Sequence, residues 1–90
     1  MSQHRSDIEM VSRLIERAKL VIAVSEDIPI EVKLEIQPLL RELSGALSIP
    51  ETEQNQDRVR VYFQAALDLG DEYPDVTALL GAVRNFVSYL

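Results

Sequence analysis

Cysteine is absent from the chain, histidine occurs once and glycine only three times. Each shortage removes a class of chemistry. Without cysteine there is neither a disulfide nor a thiolate metal site to hold the fold, so stability rests on apolar packing; an oxidising destination is neither required nor excluded. His4 alone cannot complete a Ser-His-Asp or Cys-His arrangement or a His-based zinc site. Glycines at 45, 70 and 81 cannot form a phosphate-cradling loop, and no G-x-x-x-x-G-K-[ST], G-x-G-x-x-G or G-x-S-x-G occurs. No run reaches the ~18 apolar residues of a membrane span, and the opening M-S-Q-H-R-S-D lacks the apolar region of a signal peptide. A net charge of −6 without a clustered basic surface argues against a nucleic-acid partner. The expected location is the cytoplasm.

What the chain does have is apolar residues at helical spacing. At 90 residues and 47% hydrophobic, residues 1–90 make one domain, able to bury about 60–65% of the surface the unfolded chain exposes. The stretch that organises the rest is Pro74 to Leu90. There Val76, Leu79, Leu80, Val83, Phe86, Val87 and Leu90 recur at three and four. Arg84 is the only charge after Asp75, so this stretch predicts a central helix enclosed on most sides. Ala78, Gly81 and Ala82 predict a flat strip for close backbone approach.

Three further helices are predicted. Ser6-Asp7-Ile8-Glu9 reads as a capping box opening the first, whose stripe is Ile8, Val11, Leu14, Ile15, Ala18, Val21 and Ile22. Leu20 and Val24 fall outside that stripe, which suggests contact with two neighbours. Asp27 is the expected cap of the second, with Pro29 at its first position; Val32, Ile36, Leu39, Leu40, Leu43, Ala46 and Leu47 face the core. Pro38 removes a hydrogen bond to the Leu34 carbonyl and is expected to kink or split this helix. The third has candidate starts at Ser48, Thr52 and Asn55, with Glu51, Glu53 and Asp57 suiting its positive end. It places Val59, Tyr62, Phe63, Ala66 and Leu69 inward, with Val61, Ala65 and Leu67 broadening the stripe. Gly70 is the expected left-handed stop. The fold class is therefore all-α: a small antiparallel bundle of four helices joined by short connections. The alternative is five or six short helices in a compact globule, as in the death-fold architecture.

Candidate chemistry is sparse. Asp68, Asp71, Glu72 and Asp75 form the strongest charge cluster, but their spacing is not that of an EF-hand loop, and helix-terminal solvation is the simpler reading. Glu31 and Glu35 share a helix face without a cleft to shift their acidity. Arg58 and Arg60 beside Tyr62 and Phe63 hint at base stacking, although both aromatics sit on the core stripe. Ser88-Tyr89-Leu90 has the S-x-Φ form that PDZ domains accept, yet reads better as the last turn of an apolar helix. Because the chain stops inside that helix, the expectation is an N-terminal module of a longer protein.

The functional expectation is a non-enzymatic protein–protein interaction module of adaptor or signalling type. It would self-associate or pair with a like helical domain, without cofactor, metal, membrane or small-molecule substrate. The motive is apolar supply beyond one face per helix, at Leu20, Val24, Val61 and Leu67. The alternative is an acidic inhibitor or antitoxin-like protein that covers a basic partner with Glu26, Asp27, Glu31, Asp68, Asp71, Glu72 and Asp75.

Overall fold

Stripes spaced at three and four residues become four helices, and each buries the face its sequence marks. The computed structural model describes residues 2–49, 52–87 and 90, with side chains from Ile8 onward. Among these the chain is all-helical: α1 (Ser2–Val24), α2 (Ile30–Leu47), α3 (Glu53–Gly70) and α4 (Pro74–Arg84). There are four helices rather than five or six. His4, Glu51 and the Ser88-Tyr89 ending, each singled out in the sequence, lie outside the described side chains.

The core is one cluster. α1 contributes Val11, Ile15, Ala18 and Ile22; α2 contributes Ile36, Leu40, Leu43 and Ala46; α3 contributes Val59, Phe63 and Ala66; α4 contributes Val76, Leu80 and Val83. Ile28 from the first connection and Val87 from the tail complete it. Burying each large aliphatic side chain is worth about 1.5–3 kcal/mol before the entropy of ordering is counted. α1 packs on α2 and α4, and α3 packs on the same two, while α1 does not meet α3 and α2 does not meet α4. Among the described residues each helix thus packs on two of the other three.

With α1 and α3 as its helical neighbours, the last helix is not enclosed on most sides as expected. α4 buries Val76, Leu80 and Val83, while Thr77, Ala78 and Arg84 are exposed and Gly81 is half-buried. A methyl group built at Gly81 would meet nothing within 4 Å, so no backbone approaches there. The physical reason is cheapness: Ala78, Gly81 and Ala82 carry so little apolar surface that leaving them unenclosed costs little. The helix also ends at Arg84, short of Leu90. Beyond it the bonds tighten to i−3 spacing, Phe86 N–H to the Val83 carbonyl at 3.0 Å and Val87 N–H to the Arg84 carbonyl at 3.4 Å. That path leaves Phe86 40% exposed and tucks Val87 into the core at 7%.

Helix starts also differ from their sequence signals. α1 already runs from Ser2, so Ser6 is interior and no capping box opens the helix there; nothing in Ser2–Arg5 is a Gly or Pro that would stop a helix from extending backward. Pro29 is the N-cap of α2, not its first residue, and no side chain caps that end. Asp27 instead donates its backbone N–H to the Ser25 hydroxyl at 3.2 Å. α2 continues unbroken through Pro38, so the helix does not split. Ile36, Leu40 and Leu43 are all buried, and keeping them in phase outweighs a proline cost of roughly 3 kcal/mol.

Of the three candidate starts for α3, Thr52 is the cap: its hydroxyl accepts from the Asn55 N–H at 3.1 Å. Asn55 has a second role, one that helical spacing does not reveal. Its side chain is buried at 5% exposure and its Nδ2 donates to the Ala46 carbonyl at 2.7 Å. Ala46 lies in the last turn of α2, where carbonyls have no intrahelical partner. Asn55 Oδ1 has no partner of its own. Asn55→Ala is therefore expected to cost about 1–3 kcal/mol, because the Ala46 carbonyl would be stranded. Urea unfolding of the two proteins measures it, and an unchanged midpoint would show that water replaces the amide freely.

At the far end of α3, Gly70 is the last helical residue and no glycine among the described residues has a positive φ. Its expected role as a left-handed stop is not what the backbone shows. A Cβ there would lie 2.7 Å from Val76 Cγ1 and 3.5 Å from Ile36 Cδ1. The close approach expected at Gly81 occurs at Gly70 instead.

Candidate interaction surface

Each helix that buries one stripe leaves its opposite face to water, and on α1 and α2 that face is not wholly polar. Leu20 and Val24 of α1 are 64% and 69% exposed, and Ile30 and Leu34 of α2 are 62% and 69% exposed. Each pair is four apart, so each forms a ridge along its own helix. The two ridges flank the place where α2 reaches across to α1. Lys33 Nζ donates to the Ser25 carbonyl at 2.7 Å and the Ala23 carbonyl at 3.2 Å, and Gln37 Nε2 donates to the Lys19 carbonyl at 2.9 Å. Leu20 and Val24 were marked by the sequence; Ile30 and Leu34 were not.

The remaining apolar candidates are placed elsewhere. Val61 is 65% exposed, but on α3, which does not touch α1. Leu67 is half-buried against the core, so part of its apolar surface is already used within the chain. Met10 and Ile49 are exposed as well, without a neighbour four residues away to extend either into a ridge.

Charge frames the α1–α2 ridges unequally. Arg13 and Arg17 are exposed on α1, seven and three residues before Leu20 and eleven and seven before Val24, which puts all four on one strip. Glu31, Glu35 and Glu42 are exposed on α2, on the flank turned further from α1 by helical periodicity. Lys19 pairs with Glu16 at 3.3 Å within α1.

The acidic candidates Glu26, Asp27, Glu31, Asp68, Asp71, Glu72 and Asp75 are all exposed. Glu26 and Asp27 lie in the α1–α2 connection and Glu31 in the first turn of α2; Asp71 and Glu72 lie in the α3–α4 connection, with Asp75 in the first turn of α4. There Asp75 suits the positive helix end, while Asp68 accepts from Gln64 Nε2 at 3.0 Å. No three His, Cys, Asp or Glu side chains among the described residues gather closely enough to hold a metal ion. Arg60 bonds Asp57 at 2.6 Å, and Phe63 is core, its ring covered by the Arg84 guanidinium 5.2 Å from the centroid. Phe63 is therefore not a stacking platform. No described helix is long and apolar enough to cross a membrane. No protein family matches this chain, and no curated protein or solved structure is significantly similar to it.

Proposed function

We propose that the chain is a non-enzymatic protein–protein interaction module, cytoplasmic and of adaptor or signalling type, that associates with itself or with a like helical domain. The observation that carries this reading is the exposure of Leu20, Val24, Ile30 and Leu34 on two helices whose core stripes are already filled. Four large aliphatic side chains more than 60% exposed on adjacent helices form the kind of apolar patch that marks a contact surface. The architecture behind it is an antiparallel four-helix bundle. Two observations support that: connections of only a few residues, and cross-helix bonds whose α1 partners fall from Ser25 and Ala23 to Lys19 as α2 advances from Lys33 to Gln37. An exposed proline inside an unbroken helix supports a kink of α2 at Pro38.

Sedimentation or light scattering tests the reading. The mean mass is expected to rise toward that of a dimer as concentration increases. A strict monomer at the highest soluble concentration, showing no binding to a like domain, would remove the support.

A second reading has an observation in its favour. In an up-down bundle the α1–α2 and α3–α4 connections fall at the same end, which gathers Glu26, Asp27, Glu31, Asp71, Glu72 and Asp75, with Asp68 one turn away. An acidic inhibitor would meet a basic partner with that end, and its association rate would fall steeply with salt.

A further inference from the structure

We infer that the occupant of the α1–α2 face is a second copy of this chain, docked about a twofold axis parallel to the helices so that α1 of each copy lies on α2 of the other. The inference deepens the interaction-module reading and rests on it. Its ground is that the face is complementary to itself in only one of two orientations.

Lys33 stands level with Ala23, and Gln37 with Lys19. In the antiparallel pair, Leu34 then falls level with Ile22, between Leu20 and Val24 on the neighbouring ridge. By the same register Ile30 is level with Glu26, Glu35 with Val21, and Glu42 with Leu14. Across the face the order is a basic edge at Arg17, the Leu20–Val24 ridge with Arg13 on the same strip, the Ile30–Leu34 ridge, and an acidic edge (Glu31, Glu35, Glu42). The ridge and edge side chains are all exposed.

A twofold axis across the helices would lay α1 on α1, setting each basic edge on its own copy and each acidic edge likewise. An axis along the helices lays α1 on α2. Leu20 and Val24 then bracket the second copy's Leu34, Val24 also meets its Ile30, and Arg17 falls between its Glu35 and Glu42 with Arg13 beside Glu42. Arg41, the exposed basic residue of α2, is level with Ile15 and meets Glu16. Opposite charges meet along both edges, and complementary charge fixes register and excludes the like-charged arrangement. Such a contact is isologous: each ridge meets the other copy's complementary ridge twice.

The absence of cysteine makes the arrangement directly readable. Leu20→Cys and Leu34→Cys chains, one carrying a size tag, are mixed and oxidised under non-denaturing conditions, and the products are resolved by mass. The expected result is a mixed Leu20→Cys/Leu34→Cys disulfide in several-fold excess over either like-with-like product. A dominant Leu20→Cys pair with itself would overturn the α1-on-α2 docking. Independently, Arg13→Glu/Arg17→Glu is expected to weaken wild-type dimerisation about 10–100-fold at low salt and much less at high salt, with helix content unchanged by circular dichroism. Mixing it with Glu35→Arg/Glu42→Arg is expected to restore a dimer that neither forms well alone. A dimer indifferent to these changes but abolished by Val61→Glu would overturn this face while leaving self-association standing. A wild-type monomer would overturn both.

Discussion

Leu80→Ala is expected to lower the free energy of unfolding by about 2–5 kcal/mol, the range for removing a buried leucine and leaving a cavity. Leu80 is fully buried, between Val76 and Val83 on the only buried face of α4. That helix is just 11 residues long, too short to persist alone in water, so its order depends on this face. A 90-residue domain has roughly 5–13 kcal/mol of stability in total, and the change would consume a large part of it. Phe86→Ala removes a larger side chain, but one 40% exposed, and its cost should be clearly smaller. Guanidinium unfolding of both variants measures the difference. Equal losses, or a Leu80→Ala loss below about 1 kcal/mol, would mean that the last helix is not held as described.

Gly70→Ala is expected to destabilise by about 1–3 kcal/mol, even though alanine is the better helix former by about 1 kcal/mol. The added Cβ would press on Val76 Cγ1 at 2.7 Å and on Val76 Cβ at 3.4 Å. Val76 is fully buried and branched at Cβ, so it has few rotamers to retreat into. Gly81→Ala is the internal comparison: nothing lies within 4 Å of the new methyl, and the variant should gain up to about 1 kcal/mol. Two glycine-to-alanine changes on neighbouring helices should thus have opposite signs. Adding Val76→Ala to Gly70→Ala should cost less than the separate losses combined, since the smaller side chain relieves the clash. Parallel gains from both glycine changes would show that α3 and α4 do not approach closely at Gly70.

Those two glycines also show where sequence reading reaches its limit. The core stripes of α1, α2 and α3 were legible because burial follows helical periodicity: Val11, Ile15, Ala18 and Ile22, or Ile36, Leu40 and Leu43, can face inward together only as helix. Which glycine another helix approaches depends on its neighbours, and neither sequence position records them. Helix ends were illegible for the same reason. The Ser6–Glu9 pattern has the right spacing for a cap, but it caps only if the chain leaves the helix before it. Asp27 likewise has the right chemistry in a connection whose shape is set by the burial of Ile28.

The surface was half legible. Leu20 and Val24 stood out because α1 had no place for them on its inner face. Ile30 and Leu34 were hidden in Ile30-Glu31-Val32-Lys33-Leu34, where apolar and charged residues alternate and the outward pair merges with the inward Val32. Leu67 is the converse case, a residue off the main stripe that is half-buried against the core. Lys33 and Gln37 carry no sequence signal of their own, because their acceptors come from the neighbouring helix.

Those two side chains change what α1 is. It has no basic residue in its last turn and no glycine after it, so nothing in its own sequence brings it to a close. From the next helix Lys33 brings ammonium protons to the Ala23 carbonyl in that last turn and to the Ser25 carbonyl just beyond it, while Gln37 bonds the Lys19 carbonyl one turn earlier; a cation there also opposes the negative end of the helix dipole. The final turn of the first helix is thus energetically a part of the second. A first helix without the second would lose these cross-helix donors, and with them the footing that sets its outward ridge beside its neighbour's.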